Sequence, residues 1–113
     1  PSADATPQPV RLVFFEDDSI ALGAHALTVV QDAAAAAARS PMAMVRVAGF
    51  VAPEPGHAPI VALARARAEH VAAELERFGV ARTRIQVQGR GAATFAADAP
   101  IEARRVEIRI GAN

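Results

Sequence analysis

The first patterned stretch, Val10-Arg-Leu-Val-Phe-Phe15, packs β-branched, aliphatic and aromatic side chains into a short run and predicts a strand. Residues 1–9, PSADATPQP, hold three prolines and no large apolar side chain, so they read as a linker stub before a domain spanning 10–113. Glu16-Asp17-Asp18-Ser19 breaks the strand and offers helix-capping side chains. From about Gly23 to Arg39, Leu27, Val30, Ala34 and Ala37 follow helical spacing. The run Ala33–Ala38 fits a helix lying close on a sheet, because alanine is the strongest helix former and the smallest spacer. Ser40-Pro41 ends it, with Arg39 at the negative end of the dipole.

Met42 to Gly49 alternates, with Val45 and Val47 on one face, and predicts a second strand. Val51 to Pro59 carries Pro53, Pro55, Gly56 and Pro59 and reads as a loop. A second helix is predicted over Ile60 to Phe78, with Leu63, Val71, Leu75 and Phe78 as its apolar stripe and Gly79 as its C-terminal cap. Arg84 to Gly89 alternates around Ile85 and Val87. After a Gly/Ala-rich loop, Arg104 to Ile110 puts Val106, Ile108 and Ile110 on one face. The order β-α-β-α-β-β predicts an α+β domain, with two helices covering one face of a four-stranded mixed sheet.

Composition changes this picture only in detail. Of 113 residues, 29 are alanine, and all 12 basic residues are arginine, balanced by 12 acids. Zero net charge excludes a general electrostatic nucleic-acid binder. The absence of cysteine excludes disulfides, thiolate zinc sites and a cysteine nucleophile. No apolar run approaches the roughly 18 residues of a membrane span. His25, His57 and His70 do not share a metal-ligand spacing, and Gly89-Arg-Gly91 lacks the third glycine and the helix of a phosphate loop. Glu16-Asp17-Asp18 lacks the spaced ligands of a calcium loop, and no hydroxyl stands in a GxSxG setting. No catalytic constellation emerges.

One residue breaks the pattern. Arg67 lies four residues from Leu63 and four from Val71, inside the apolar stripe. Arg65, Glu69, Glu74, Glu76 and Arg77 are placed away from it. A guanidinium on a buried face needs acceptors around it. Those acceptors could be an internal partner, or an anionic ligand group gripped in a bidentate fork.

Several motifs in order resemble the OmpA/MotB-type C-terminal domain, the family of peptidoglycan-associated lipoproteins and flagellar stator proteins. Phe15-Glu-Asp-Asp-Ser-Ile-Ala-Leu22 is similar to the family's opening segment. Arg67-Ala68, Leu75, Gly79-Val80 and Arg82-Thr-Arg-Ile85 follow, leading into Gly89-Arg-Gly91, and Arg104-Arg-Val-Glu-Ile108 closes the series. The resemblance covers about residues 10–110 and implies the same β-α-β-α-β-β fold. It also implies a site for the diaminopimelate of the peptidoglycan stem peptide, gripped by an aspartate of a GHTD motif and the arginine of LSxxRA, with no cofactor and no catalysis.

Carried over residue by residue, the arginine persists as Arg67, but most of its companions do not. The GHTD positions fall on Gly49, Phe50, Val51 and Ala52. The asparagine of NxxL falls on Ile60, the serine on Ala64, and the asparagine of NRRVEI on Ala103. Arg104, two residues from core-facing Val106, keeps the pocket-side phase, whereas Arg105 points with Glu107. The candidate pocket is therefore Arg67, Arg104, Phe50, Ala52, Glu54 and Ile60. Losing an acceptor for the ligand's ammonium removes roughly 1.5–3 kcal/mol, and several such losses abolish useful binding. The expectation is a non-enzymatic periplasmic envelope module of a Gram-negative bacterium. It would contact a protein partner, bind peptidoglycan weakly or not at all, and attach to a membrane only through a segment outside this chain. The alternative is a working peptidoglycan anchor in which Glu54, two residues on, replaces the missing aspartate.

Overall fold

The structure is a computed structural model that describes residues 9–15, 19–51, 61–92 and 104–111. Its elements are β1 (Arg11–Phe14), α1 (Ala24–Arg39), β2 (Met44–Val51), α2 (Val61–Arg77), a 3-10 turn at Arg82–Arg84, β3 (Ile85–Ala92) and β4 (Arg105–Gly111). They form a four-stranded sheet in the order β1-β4-β2-β3. Only β2 and β3 run parallel, and α2 is the crossover between them. The predicted α+β architecture is the observed one.

Alternation decides which side of the sheet is covered. Val45 and Val47 of β2, Ile85 of β3, and Val106, Ile108 and Ile110 of β4 are buried against the helices. The helices meet them largely with alanine. On α1 the buried face is Ala26, Val30, Ala33, Ala34, Ala36 and Ala37. On α2 it is Ala64, Arg67, Ala68, Val71, Ala72 and Leu75, the i, i+3, i+4 progression of a single helix face. The predicted stripe was thus rotated. Phe78 is 39% exposed, because it follows the last helical residue, and Glu74 is buried on the core side, bonded to Arg77 at 3.1 Å.

Alanine lets the layers approach until backbone meets backbone. A Cβ added to Gly49 of β2 would lie within clash range of the Ala64 carbonyl oxygen and 2.8 Å from its carbonyl carbon. The α2 axis therefore rests directly on the end of β2. At its other end, α2 stops at Gly79 (φ 102°), where Val80 N–H donates to the Leu75 carbonyl and Gly79 N–H to that of Glu76. That pair of bonds ends a helix on a left-handed residue, and Val80 folds back into the core beside Leu75.

The C-terminus of α1 is held from outside the helix. Arg84 donates to the carbonyls of Ala37 (3.0 Å), Ser40 (2.8 Å) and Ala43 (3.0 Å). A cation there answers both the orphan carbonyls and the dipole. Arg84→Ala is expected to destabilise the domain by about 2–3 kcal/mol, the loss of charged hydrogen bonds to part-buried acceptors. Urea unfolding checks this, with unchanged m and a lower midpoint expected.

On the opposite edge Arg11 Nε donates to Asp32 at 2.7 Å, tying β1 to α1. That hydrogen bond, with the Arg11 charge, holds the Asp32 carboxyl below the usual carboxylate range. A lowered folded-state value contributes stability above the unfolded value, and the contribution is lost as pH falls through the folded one. Arg11→Ala should therefore raise the Asp32 pKa in an NMR titration and lower stability at neutral pH, with the difference from wild type fading as pH falls through the acid range.

Candidate functional site

Arg67 is built into the molecule from both sides. It projects from the sheet-facing side of α2 and is 1% exposed. Its Nε donates to the Ser19 carbonyl at 2.9 Å and Nη1 to the Phe50 carbonyl at 3.2 Å. The guanidinium carbon lies 5.2 Å from the centroid of the Phe15 ring, within cation–π range. One turn further along α2, His70 Nδ1 meets the Ile20 carbonyl. Arg67 and His70 together fasten the 19–22 segment onto α2, and Arg67 joins it to the end of β2.

Arg104 reaches the same neighbourhood. It exchanges two bonds with Phe15: Phe15 N–H to the Arg104 carbonyl at 2.8 Å, and Arg104 Nε to the Phe15 carbonyl at 3.3 Å. Arg67 and Arg104 therefore flank one residue, Phe15, on the helix side of the sheet. Arg105 points the other way with Glu107, Nη2 to Oε2 at 2.7 Å, as the alternation required.

Phe50 is placed differently from the expectation. Strand alternation sends its ring to the helix-free face, where Arg105 stacks over it at 5.2 Å, so only its carbonyl meets Arg67. It does not line a pocket around the guanidinium with its ring. Ala52, Glu54 and Ile60 lie outside the described residues. The sequence reading missed the Ser19 and Phe50 carbonyls, since main-chain acceptors have no residue signature. It also missed His70, which a position three residues after Arg67 could have flagged.

The arrangement gives Arg67 acceptors from the chain itself. Among the described residues no cluster of histidine or carboxylate side chains could hold a metal ion. Nor, among them, is any helix long and apolar enough to cross a membrane.

The OmpA family model matches residues 14–109. The chain belongs to the OmpA family. Similar solved structures include the peptidoglycan-associated lipoprotein of Burkholderia pseudomallei (21% identity, TM-score 0.76, 88% of this chain and 89% of that one). The OmpA-like domain of FopA1 from Francisella tularensis gives 18% identity and a TM-score of 0.79, over 92% of this chain and 75% of that one. The periplasmic domain of Helicobacter pylori MotB gives 19% and 0.74, over 96% and 88%. At these identities the likeness establishes the fold. None of the curated proteins is a significant match. Within this OmpA-like domain, Gly49 lies on β2, Ala64 and Arg67 on α2, and Arg105–Ile108 on β4.

Proposed function

We propose that this OmpA-like domain is a non-enzymatic, periplasmic cell-envelope module that acts through protein contacts and whose diaminopimelate site is weak or lost. The observation that supports it is the burial of Arg67 with Ser19 and Phe50 carbonyls as its acceptors. A ligand carboxylate would have to displace those two bonds. A carboxylate can do so, since it adds a full opposite charge and a two-oxygen fit to the guanidinium that a neutral carbonyl lacks. The ligand's ammonium, however, needs an acid, and Ala52 stands at the position of the family's aspartate. One retained donor without its acidic companion leaves a zwitterionic ligand half satisfied.

Co-sedimentation with purified sacculi tests the proposal. The wild-type domain is expected in the supernatant, and the Ala52→Asp/Ile60→Asn variant in the pellet. Wild-type pelleting that free diaminopimelate reverses would overturn it. Glu54→Ala is expected to change nothing; loss of binding in that variant would establish Glu54 as the replacement acid of a working anchor.

A further inference from the structure

The Phe50 and Ser19 carbonyls that receive Arg67 differ in how firmly they are held. The Phe50 carbonyl belongs to β2, an inner strand of the sheet. The Ser19 carbonyl belongs to the 19–22 segment, which lies against α2 outside any helix or strand. Ile20 is 44% exposed and Ala21 is exposed too, so little apolar burial holds this part of the chain down. Ala21 N–H donates to Ser19 Oγ at 3.0 Å, a bond inside the segment that travels with it.

Attachment to α2 comes from Arg67 Nε at Ser19 and His70 Nδ1 at Ile20. A ring nitrogen that meets a carbonyl must carry the proton, so His70 is the donor in this contact. Leu22 packs against the core. Gly23 beyond it is exposed, with nothing within 4 Å of where a Cβ would stand. Residues 19–21 can therefore pivot about the Leu22–Gly23 junction once the two side-chain bonds open. Segments with so few buried contacts lie at the low end of local stability.

Opening would bare one edge of the guanidinium. Nε–H points at the segment, whereas Nη1 is bonded to Phe50 and the Phe15 ring lies 5.2 Å from the guanidinium carbon. Those two contacts keep Arg67 in place while Nε–H turns to solvent. A carboxylate suits that edge better than a carbonyl does, through its charge and its two oxygens.

We propose that residues 19–22 form an autoinhibitory strap, latched by His70, whose Ser19 carbonyl holds the place of a ligand carboxylate at Arg67. This rests on reading the ligand site as weakened, and it adds a cause separate from the missing acid at Ala52. A closed strap lowers apparent affinity in proportion to the small fraction of molecules in which it is open. Releasing the latch raises that fraction without touching Arg67.

The Arg67 Nε–H resonance of the whole domain tests this by NMR, with acetate as the carboxylate probe at constant ionic strength. Wild type should show a protected resonance that acetate does not move. In His70→Ala, Nε–H should exchange about tenfold faster, the loss of one hydrogen bond, and acetate should shift it. His70→Asn keeps an amide donor near the Nδ1 position and should restore wild-type behaviour. Arg84→Ala, which loosens the far end of α1, should leave Nε–H silent to acetate. An Nε–H in His70→Ala as protected and as silent as in wild type would overturn the strap. Acetate shifts of equal size in wild type, His70→Asn or Arg84→Ala would overturn it too, since the latch would then make no difference.

Sacculus pelleting separates the strap from the reading beneath it. If Ala52→Asp/Ile60→Asn stays in the supernatant while acetate reaches Arg67 in His70→Ala, the missing acid is not the cause and the strap stands. If that double variant pellets and acetate never reaches Arg67, the strap falls and the weakened site stands.

Discussion

Gly49→Ala is expected to be among the most damaging single substitutions in this domain, destabilising it by about 3 kcal/mol or more. The added methyl carbon would meet the carbonyl carbon of Ala64 at 2.8 Å and its oxygen closer still. Both are helix backbone, so relief cannot come from a rotamer change. Either α2 lifts from the sheet, opening gaps beside Ala68 and Val71, or β2 shifts and disturbs its pairing with both neighbours. Natural domains have only about 5–15 kcal/mol in total. Thermal unfolding should show a drop of roughly 12 °C or more. A variant within about 0.5 kcal/mol of wild type would mean that the helix–sheet approach is looser than described.

The second large effect is expected at Arg67. Arg67→Ala removes a buried side chain and leaves the Ser19 and Phe50 carbonyls without that donor. The cavity and the unmet acceptors together predict a loss of about 3–5 kcal/mol. It should also free the 19–22 segment, so amide exchange near Ser19 and Ile20 should accelerate more than in the core strands. An arginine waiting for a ligand would behave otherwise, since replacing it would change stability little and could increase it. Chemical denaturation and hydrogen exchange on one variant therefore separate an internal fastening from a vacant fork.

Much of this fold was legible in the chain. Strand alternation around Val45 and Val106, the glycine at 79, and the helical spacing from Gly23 to Arg39 each carry a local physical cause, and each marked its element closely. The α2 face was less legible because alanine is ambivalent: Ala64, Ala68 and Ala72 are fully buried while the larger Phe78 is not. Side-chain size pointed to Phe78, but helix phase and the turn at Gly79 decide burial. Likewise β3 runs on through Gly89-Arg-Gly91, because pairing with β2 outweighs the poor strand propensity of glycine.

The site divides in the same way. Helix phase singled out Arg67, and strand phase separated Arg104 from Arg105, because both follow from periodicity. The orientation of Phe50 was equally available from alternation after Val45 and Val47, yet the family motif drew it towards the pocket. What could not be read was the set of carbonyls that receives Arg67. Main-chain acceptors are positioned only when distant segments meet, here the 19–22 segment, the end of β2 and the face of α2. Arg84 was hidden for the same reason: its acceptors lie 41 to 47 residues away along the chain.

The central claim is that Arg67 fastens the chain to itself rather than holding a ligand. Its Nε–H resonance reports on this directly, followed by NMR while a diaminopimelate-containing muropeptide is titrated in. The account predicts a signal protected from solvent exchange that stays in place up to millimolar ligand. A saturable shift of that resonance would show a ligand reaching the guanidinium and would contradict the account.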